Sequence, residues 1–243
     1  MTDDAAHDSN DIPKWRSVLP DRPLAGLTVL VVEDSRYASE AMRLLCLRSG
    51  ARIRRADTIR SALRHLQTYC PGAIIVDMGL PDGDGAEMIR TIARATPRVP
   101  VILGISGDAD NRDTALQAGA NGFLTKPIES LGQFQQAILG ALPAEARPTG
   151  LRAITDELII PDRAALHDDL AHVAEILQVA DDLQAIEYIA RFLAGIARSA
   201  HDEPLEDAAT ALVRDRINGP ELTMDLARIS GMVQERLSAV QRP

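Results

Sequence analysis

A chain of 243 residues with 46% hydrophobic and 25% charged side chains has the make-up of a globular protein of one or two domains. Its net charge of −9 is unevenly divided: residues 1–150 carry 17 basic and 18 acidic side chains, residues 151–243 carry 9 and 17. A C-terminal part at −8 argues against nucleic-acid binding, and no apolar run approaches the roughly 18 residues of a membrane span.

Taken in order, residues 1–24 are polar, rich in Asp and without apolar period, and are expected to be a disordered lead. Met1–Asn10 does not read as a signal peptide, so a cytoplasmic protein is expected. Leu27–Val32 reads as a strand buried on both faces, ending in Glu33 and Asp34. Ser35 caps a helix that stops at Gly50. A second strand over 51–56 and a helix capped by Thr58 follow. Ala73–Asp77 is a third strand, broken at once by Gly and Pro, so Asp77 is expected to be presented at a sheet edge rather than buried in packing. A helix over about 84–95, a strand over 99–106, a helix over 108–117, a strand over 122–125 and a helix over 131–139 complete the series. Cys46 and Cys70 fall in apolar helical patterns and are expected to be buried free thiols.

Strands alternating with helices predict an α/β unit with a parallel sheet of flavodoxin-like order 2-1-3-4-5 over residues 25–142. Residues 143–160 read as a linker. Beyond it the pattern is helical only, with four helices near 162–179, 183–200, 203–216 and 221–240, an all-α bundle over 161–243.

The chemistry gathers where the strands end. The sheet's carboxyl edge brings together Glu33, Asp34, Asp77, Ser106 and Lys126. Three carboxylates that close repel one another unless a cation sits between them, and hard oxygen donors in that number suit Mg²⁺. With the metal present, one carboxylate can attack a phosphoryl group. Lys126 supplies a second positive charge, and Ser106 a hydroxyl donor. Arginines 36, 43, 48, 52, 54, 55, 60 and 64 form either a solvated basic face or a surface that docks the acidic C-terminal half or a kinase.

Val31-Val32-Glu33-Asp34-Ser35, Val76-Asp77-Met78-Gly79-Leu80-Pro81-Asp82-Gly83-Asp84-Gly85 and Thr125-Lys126-Pro127 resemble the receiver domain of two-component response regulators (CheY-like). The resemblance implies that Asp77 is the phosphoacceptor and that Glu33, Asp34, Asp77 and the Gly79 carbonyl hold Mg²⁺. It also makes Ser106 and Phe123 the switch residues, and Lys126-Pro127 the phosphate lysine with a cis proline. Pro100 stands one residue further from the hydroxyl than in the family, so Ile105 competes for that place. The small Gly107 and the spacing to Asp77 favour Ser106.

Ala190-Arg191-Phe192-Leu193-Ala194-Gly195 is similar to the phosphorylated helix of histidine phosphotransfer (HPt) domains, which reads Ala-His-x-Leu-Lys-Gly. Arg191 stands at the histidine's place, so the resemblance implies a degenerate HPt-like domain that cannot accept phosphate. His167, His172 and His201 show no metal spacing and are expected to be structural.

The expected function is that of a response regulator, not an enzyme beyond its own phosphoryl transfer and aspartyl-phosphate hydrolysis. A histidine kinase or HPt protein is the expected phosphodonor, and the helical half the output through a protein partner or through intramolecular docking. The alternative is a phosphorelay intermediate or phosphatase-like regulator whose helical half acts on phosphorylated partners.

Overall fold

The computed structural model describes residues 22–147, 157–179, 183–214 and 219–240. Five strands, β1 (Thr28–Val32), β2 (Arg52–Ala56), β3 (Ala73–Asp77), β4 (Val101–Ser106) and β5 (Gly122–Thr125), pair in parallel in the order 2-1-3-4-5. This is the expected flavodoxin-like sheet. Because side chains alternate along a strand, Val29, Val31, Ile75 and Leu103 feed the core on one face. Leu30, Val32, Ile74 and Ile102 feed the core on the other. The first core is closed by α1 (Arg36–Ser49) and α5 (Leu131–Ala141), the second by α2 (Ile59–Thr68), α3 (Gly85–Ala93) and α4 (Asn111–Ala118).

β2 is an edge strand, and Arg52, Arg54 and Arg55 on it are exposed. Charges on a sheet edge discourage pairing with another chain, which gives part of the arginine-rich stretch a structural role. At the other end of β3, the chain makes a miniature hairpin, Gly79–Leu80 against Gly83–Asp84, before Asp84 caps α3 through Ala86 N at 2.8 Å. The hairpin returns so tightly that a Cβ on Gly85 would lie 2.0 Å from the Asp77 carbonyl oxygen, so only glycine fits there.

The helical half consists, among the described residues, of α6 (Arg163–Val179), α7 (Leu183–Ser199), α8 (Glu203–Arg214) and α9 (Gly219–Val240). Each packs on the next and α9 returns to α6, closing a four-helix ring around Leu170, Val173, Ile189, Leu193, Leu205 and Ile229. The ring is docked on the sheet domain: α6 and α7 both lie against α1. Asp169 of α6 is the anchor. Its carboxylate accepts the Ser35 hydroxyl at 2.8 Å and the backbone N–H groups of Arg36 and Tyr37 at 2.8 and 3.0 Å. The first amides of a helix have no partner within it, so a side chain from the other domain caps α1. Arg36 adds an ion pair with Asp168 at 2.7 Å, largely exposed and of little energetic weight.

Three expectations are corrected. The lead expected over 1–24 lies mostly outside the described residues, but Leu24 is buried in the core and its N–H donates to Ser49 O. The end of the expected linker is tied down. Leu131 N donates to Glu157 O and Ile159 N to Glu129 O, in an antiparallel bridge, and Ile159 is buried. Cys46 is buried as expected, whereas Cys70 is exposed, because α2 stops at Thr68 and the chain is already extended at Tyr69.

Candidate functional site

The ends of β1, β3 and β4 and the turn after β5 deliver Glu33, Asp34, Asp77, Ser106 and Lys126 to one cleft at the carboxyl edge of the sheet. Lys126 Nζ lies 2.6 Å from Asp77 Oδ2 and 2.7 Å from Glu33 Oε2. Asp77 Oδ1 accepts the Gly79 N–H at 3.1 Å. Asp77 is only 7% exposed. Asp77 is thus at the sheet edge and lines the cleft, as expected, but the expectation that it is not buried is corrected: it lies at the cleft floor.

Glu33, Asp34 and Asp77 can each place one carboxylate oxygen within 4.8 Å of the others. Burial pushes the Glu33 carboxyl well above its usual value, and the neighbouring Asp77 and Asp34 charges add to this against the pull of Lys126. Burial likewise raises Asp34 to about 6, opposed by its hydrogen bond from Tyr188. Burial alone would lower the Lys126 ammonium, but the Asp77 and Glu33 charges outweigh it and hold Lys126 above its ordinary value. Three crowded carboxylates with one ammonium among them, Lys126 Nζ at 2.7 Å from Glu33 Oε2 and 2.6 Å from Asp77 Oδ2, are a donor set that fits a hard divalent cation.

Ser106 Oγ accepts from Asp108 N at 3.1 Å and from Asn111 Nδ2 at 3.0 Å, which leaves its own hydrogen to donate. Ile105, the competing position, is buried in the core under α1 and α5. Phe123 is buried in the opposite core, beside Gly104. The Lys126–Pro127 bond is cis.

Helix α7 forms the far wall of the cleft. Its buried stripe of Ile189, Leu193 and Ile196 serves the bundle, while Tyr188, Arg191, Gly195 and Arg198 face the cleft. Tyr188 OH donates to Asp34 Oδ2 at 2.6 Å. Burial, and then the Asp34 charge, hold this phenol above its ordinary value. Arg191 pairs with Glu187 one turn back. Of the histidines, His201 sits in a turn with Nε2 2.7 Å from Glu129, and His172 meets Phe192 edge-on. Glu33, Asp34 and Asp77 are the one metal-type cluster among the described residues.

Tyr188, Arg198 and Asp169 were not singled out from the sequence. The spacing 188, 191, 195, 198 is a stripe along one helix face, and that was the available signal. A polar stripe opposite an apolar one also describes any solvated helix face.

Residues 29–138 match the family model of the response regulator receiver domain. The KDP operon transcriptional regulatory protein KdpE of Escherichia coli K12 is 33% identical over 121 residues, covering 50% of this chain and 53% of that protein. The virulence transcriptional regulatory protein PhoP of Salmonella typhimurium is 31% identical over 116 residues, covering 46% and 52%. The receiver domain of the sensor histidine kinase PA1611 from Pseudomonas aeruginosa PAO1, solved with magnesium in its active-site cleft, is 28% identical with a TM-score of 0.43, covering 48% of this chain and 97% of that one. The chain spans about half the length of the curated relatives it matches. Residues 29–138 thus match the response regulator receiver domain, and the family match ends before the helical bundle. No helix among the described residues is long and apolar enough to cross a membrane.

Proposed function

We propose that this protein is a cytoplasmic response regulator in which Asp77 accepts a phosphoryl group from the phosphohistidine of a histidine kinase or HPt protein. The observation that carries this reading is the placement of Asp77. Its carboxylate lies 2.6 Å from Lys126 and beside Glu33 and Asp34, in a cleft that also holds the Ser106 hydroxyl. The bond formed joins an Asp77 oxygen to phosphorus. The bond broken is the donor's P–N bond, and the imidazole leaves neutral by keeping the proton on its other ring nitrogen.

Glu33, Asp34, Asp77 and the Gly79 carbonyl would hold Mg²⁺. When bound, Mg²⁺ neutralises the crowded carboxylates and polarises the phosphoryl oxygens. Lys126 follows the incoming phosphoryl charge from its position between the two acids, and Ser106 turns its free hydrogen toward a phosphoryl oxygen. Phe123 is read as the aromatic partner of that hydroxyl in the switch. The bundle is read as an HPt-like output domain with Arg191 in place of an acceptor histidine. Its ring of four helices and the position of Arg191 on the cleft support that reading. The partner of this output is a protein surface, either another chain's or the receiver's own.

Phosphosite mapping by mass spectrometry, avoiding acid, tests the proposal on the intact chain treated with acetyl phosphate and Mg²⁺. The expected result is phosphate on Asp77 and none in Asp77→Asn. Phosphate on His167, His172 or His201 would make the protein a relay intermediate instead, and an unmodified Asp77 would overturn the assignment.

A further inference from the structure

The cleft wall contributed by α7 carries two guanidinium groups, and they differ in how they are held. Arg191 is 64% exposed and leans back on Glu187 of its own helix. Arg198 is constrained from two sides. Its Nε donates to Glu206 Oε1 of α8 at 2.7 Å and its Nη2 lies 2.7 Å from the same oxygen as an ion pair, which holds one edge of the planar group. The other edge then falls on the receiver: a Cβ built on Gly107 would lie only 2.1 Å from Arg198 Nη1. Gly107 directly follows Ser106, and both line the cleft with Asp77. The bundle thus delivers a pre-oriented cation to the loop that carries the pocket's hydroxyl.

Charge gives that cation a purpose. Glu33, Asp34 and Asp77 outnumber Lys126 in the cleft. A phosphoryl group on Asp77, with a charge near −2, adds negative charge there beyond that of the carboxylate it replaces. A guanidinium fork suits phosphoryl oxygens, and one already locked by Glu206 loses little freedom on binding. We propose that Arg198 is a phosphoryl-binding residue supplied in cis by the helical bundle: its Nη1 edge donates to an oxygen of the group carried by Asp77, so phosphorylation tightens the bundle on the receiver. Affinity is reciprocal, so a bundle that binds the phosphoryl group must itself be held more firmly when that group is present. The inference rests on the reading of Asp77 as phosphoacceptor.

The test uses the full chain and beryllium fluoride with Mg²⁺ as the phosphoryl mimic, titrated by calorimetry. Arg198→Ala is expected to bind the mimic about tenfold more weakly than the wild type. Arg198→Lys should recover part of the loss, because it keeps the charge without the fork. Glu206→Gln, which leaves the arginine but loosens its orientation, should fall between. Amide exchange in α7 should slow on adding the mimic to the wild type and stay unchanged in Arg198→Ala. Equal affinities in wild type and Arg198→Ala overturn the role of Arg198 while leaving Asp77 in place. A wild type that binds no mimic, and takes no phosphate on Asp77, removes both readings.

Discussion

Tyr188 of α7 donates its phenolic hydrogen to Asp34 Oδ2 at 2.6 Å, joining residues 154 positions apart at the mouth of the acidic cleft. The same oxygen belongs to a carboxylate of the cluster suited to a divalent cation. A carboxylate oxygen engaged by a phenol is a poorer cation ligand, so on the proposed reading the bundle and the ion would compete for Asp34.

Removing that competitor should therefore strengthen cation binding. A hydrogen bond to a charged acceptor contributes about 1.5–3 kcal/mol, and part of this is returned by water when the phenol is released. Tyr188→Phe is expected to bind Mn²⁺, a probe for Mg²⁺, up to about tenfold more tightly in an electron paramagnetic resonance titration. Weaker binding would show instead that Tyr188 holds Asp34 in its ligating pose.

Asp169 is the second tie between the domains, and its loss should be felt as stability. Asp169→Ala leaves two amides at the start of α1 and the buried Ser35 hydroxyl without their acceptor. Loss of a helix cap costs about 0.5–2 kcal/mol, and the upper end applies here because the site is buried. Urea denaturation should show that loss, with faster amide exchange at Arg36 and Tyr37. Unchanged exchange at those two amides would mean that Ser35 alone suffices as a cap.

The receiver half was legible in the sequence because each of its cues is local. An apolar run such as Ala73–Val76, stopped at once by Gly79 and Pro81, reads as a doubly covered strand, and that reading puts the acid at its end on the sheet edge. The pairing of the two halves was not legible. Asp169 stands beside Asp168 on a helix surface, and nothing in the local pattern says which of the two meets an unpaired helix start. Likewise the eight arginines over helix one to helix two read as one basic face, yet docking of the bundle draws on Arg36, and β2 uses three others along an open edge. Buried carboxylates and a phenol make the principal contacts. Tertiary placement decides such matters, and a single sequence does not carry it.

Acid-range stability should follow Asp34. Burial raises its carboxyl from 3.8 to about 6 in the folded chain, so the folded state holds the proton more tightly than the unfolded state. The contribution of Asp34 is therefore fully present below about pH 4 and lost as pH rises through about 6. In metal-free protein, the difference in urea stability between wild type and Asp34→Asn is expected to shift against the wild type across that window and to level off above it. Adding a divalent cation at pH 7 should restore the wild type, because the ion favours the charged carboxylate. A difference that is flat from pH 4 to 7 would show that Asp34 is not desolvated.

The antiparallel bridge of Leu158 with Ser130, closed by the Ile159 N–H on Glu129, sets how far the bundle can travel. Four residue steps lead from Ile159 to the start of α6 at Arg163, and fully extended they span about 14 Å. As long as the bridge holds, α7 cannot drift away on a long tether and can only hinge about the start of α5. The bundle then meets the cleft at an effective concentration in the millimolar range, as expected of a short link. A soluble partner that seeks the same surface is in competition with a permanently present intramolecular ligand. Weak contacts from outside lose that competition, and on the proposed reading a phosphodonor would gain access only by forming enough contacts with the receiver to displace its own neighbour.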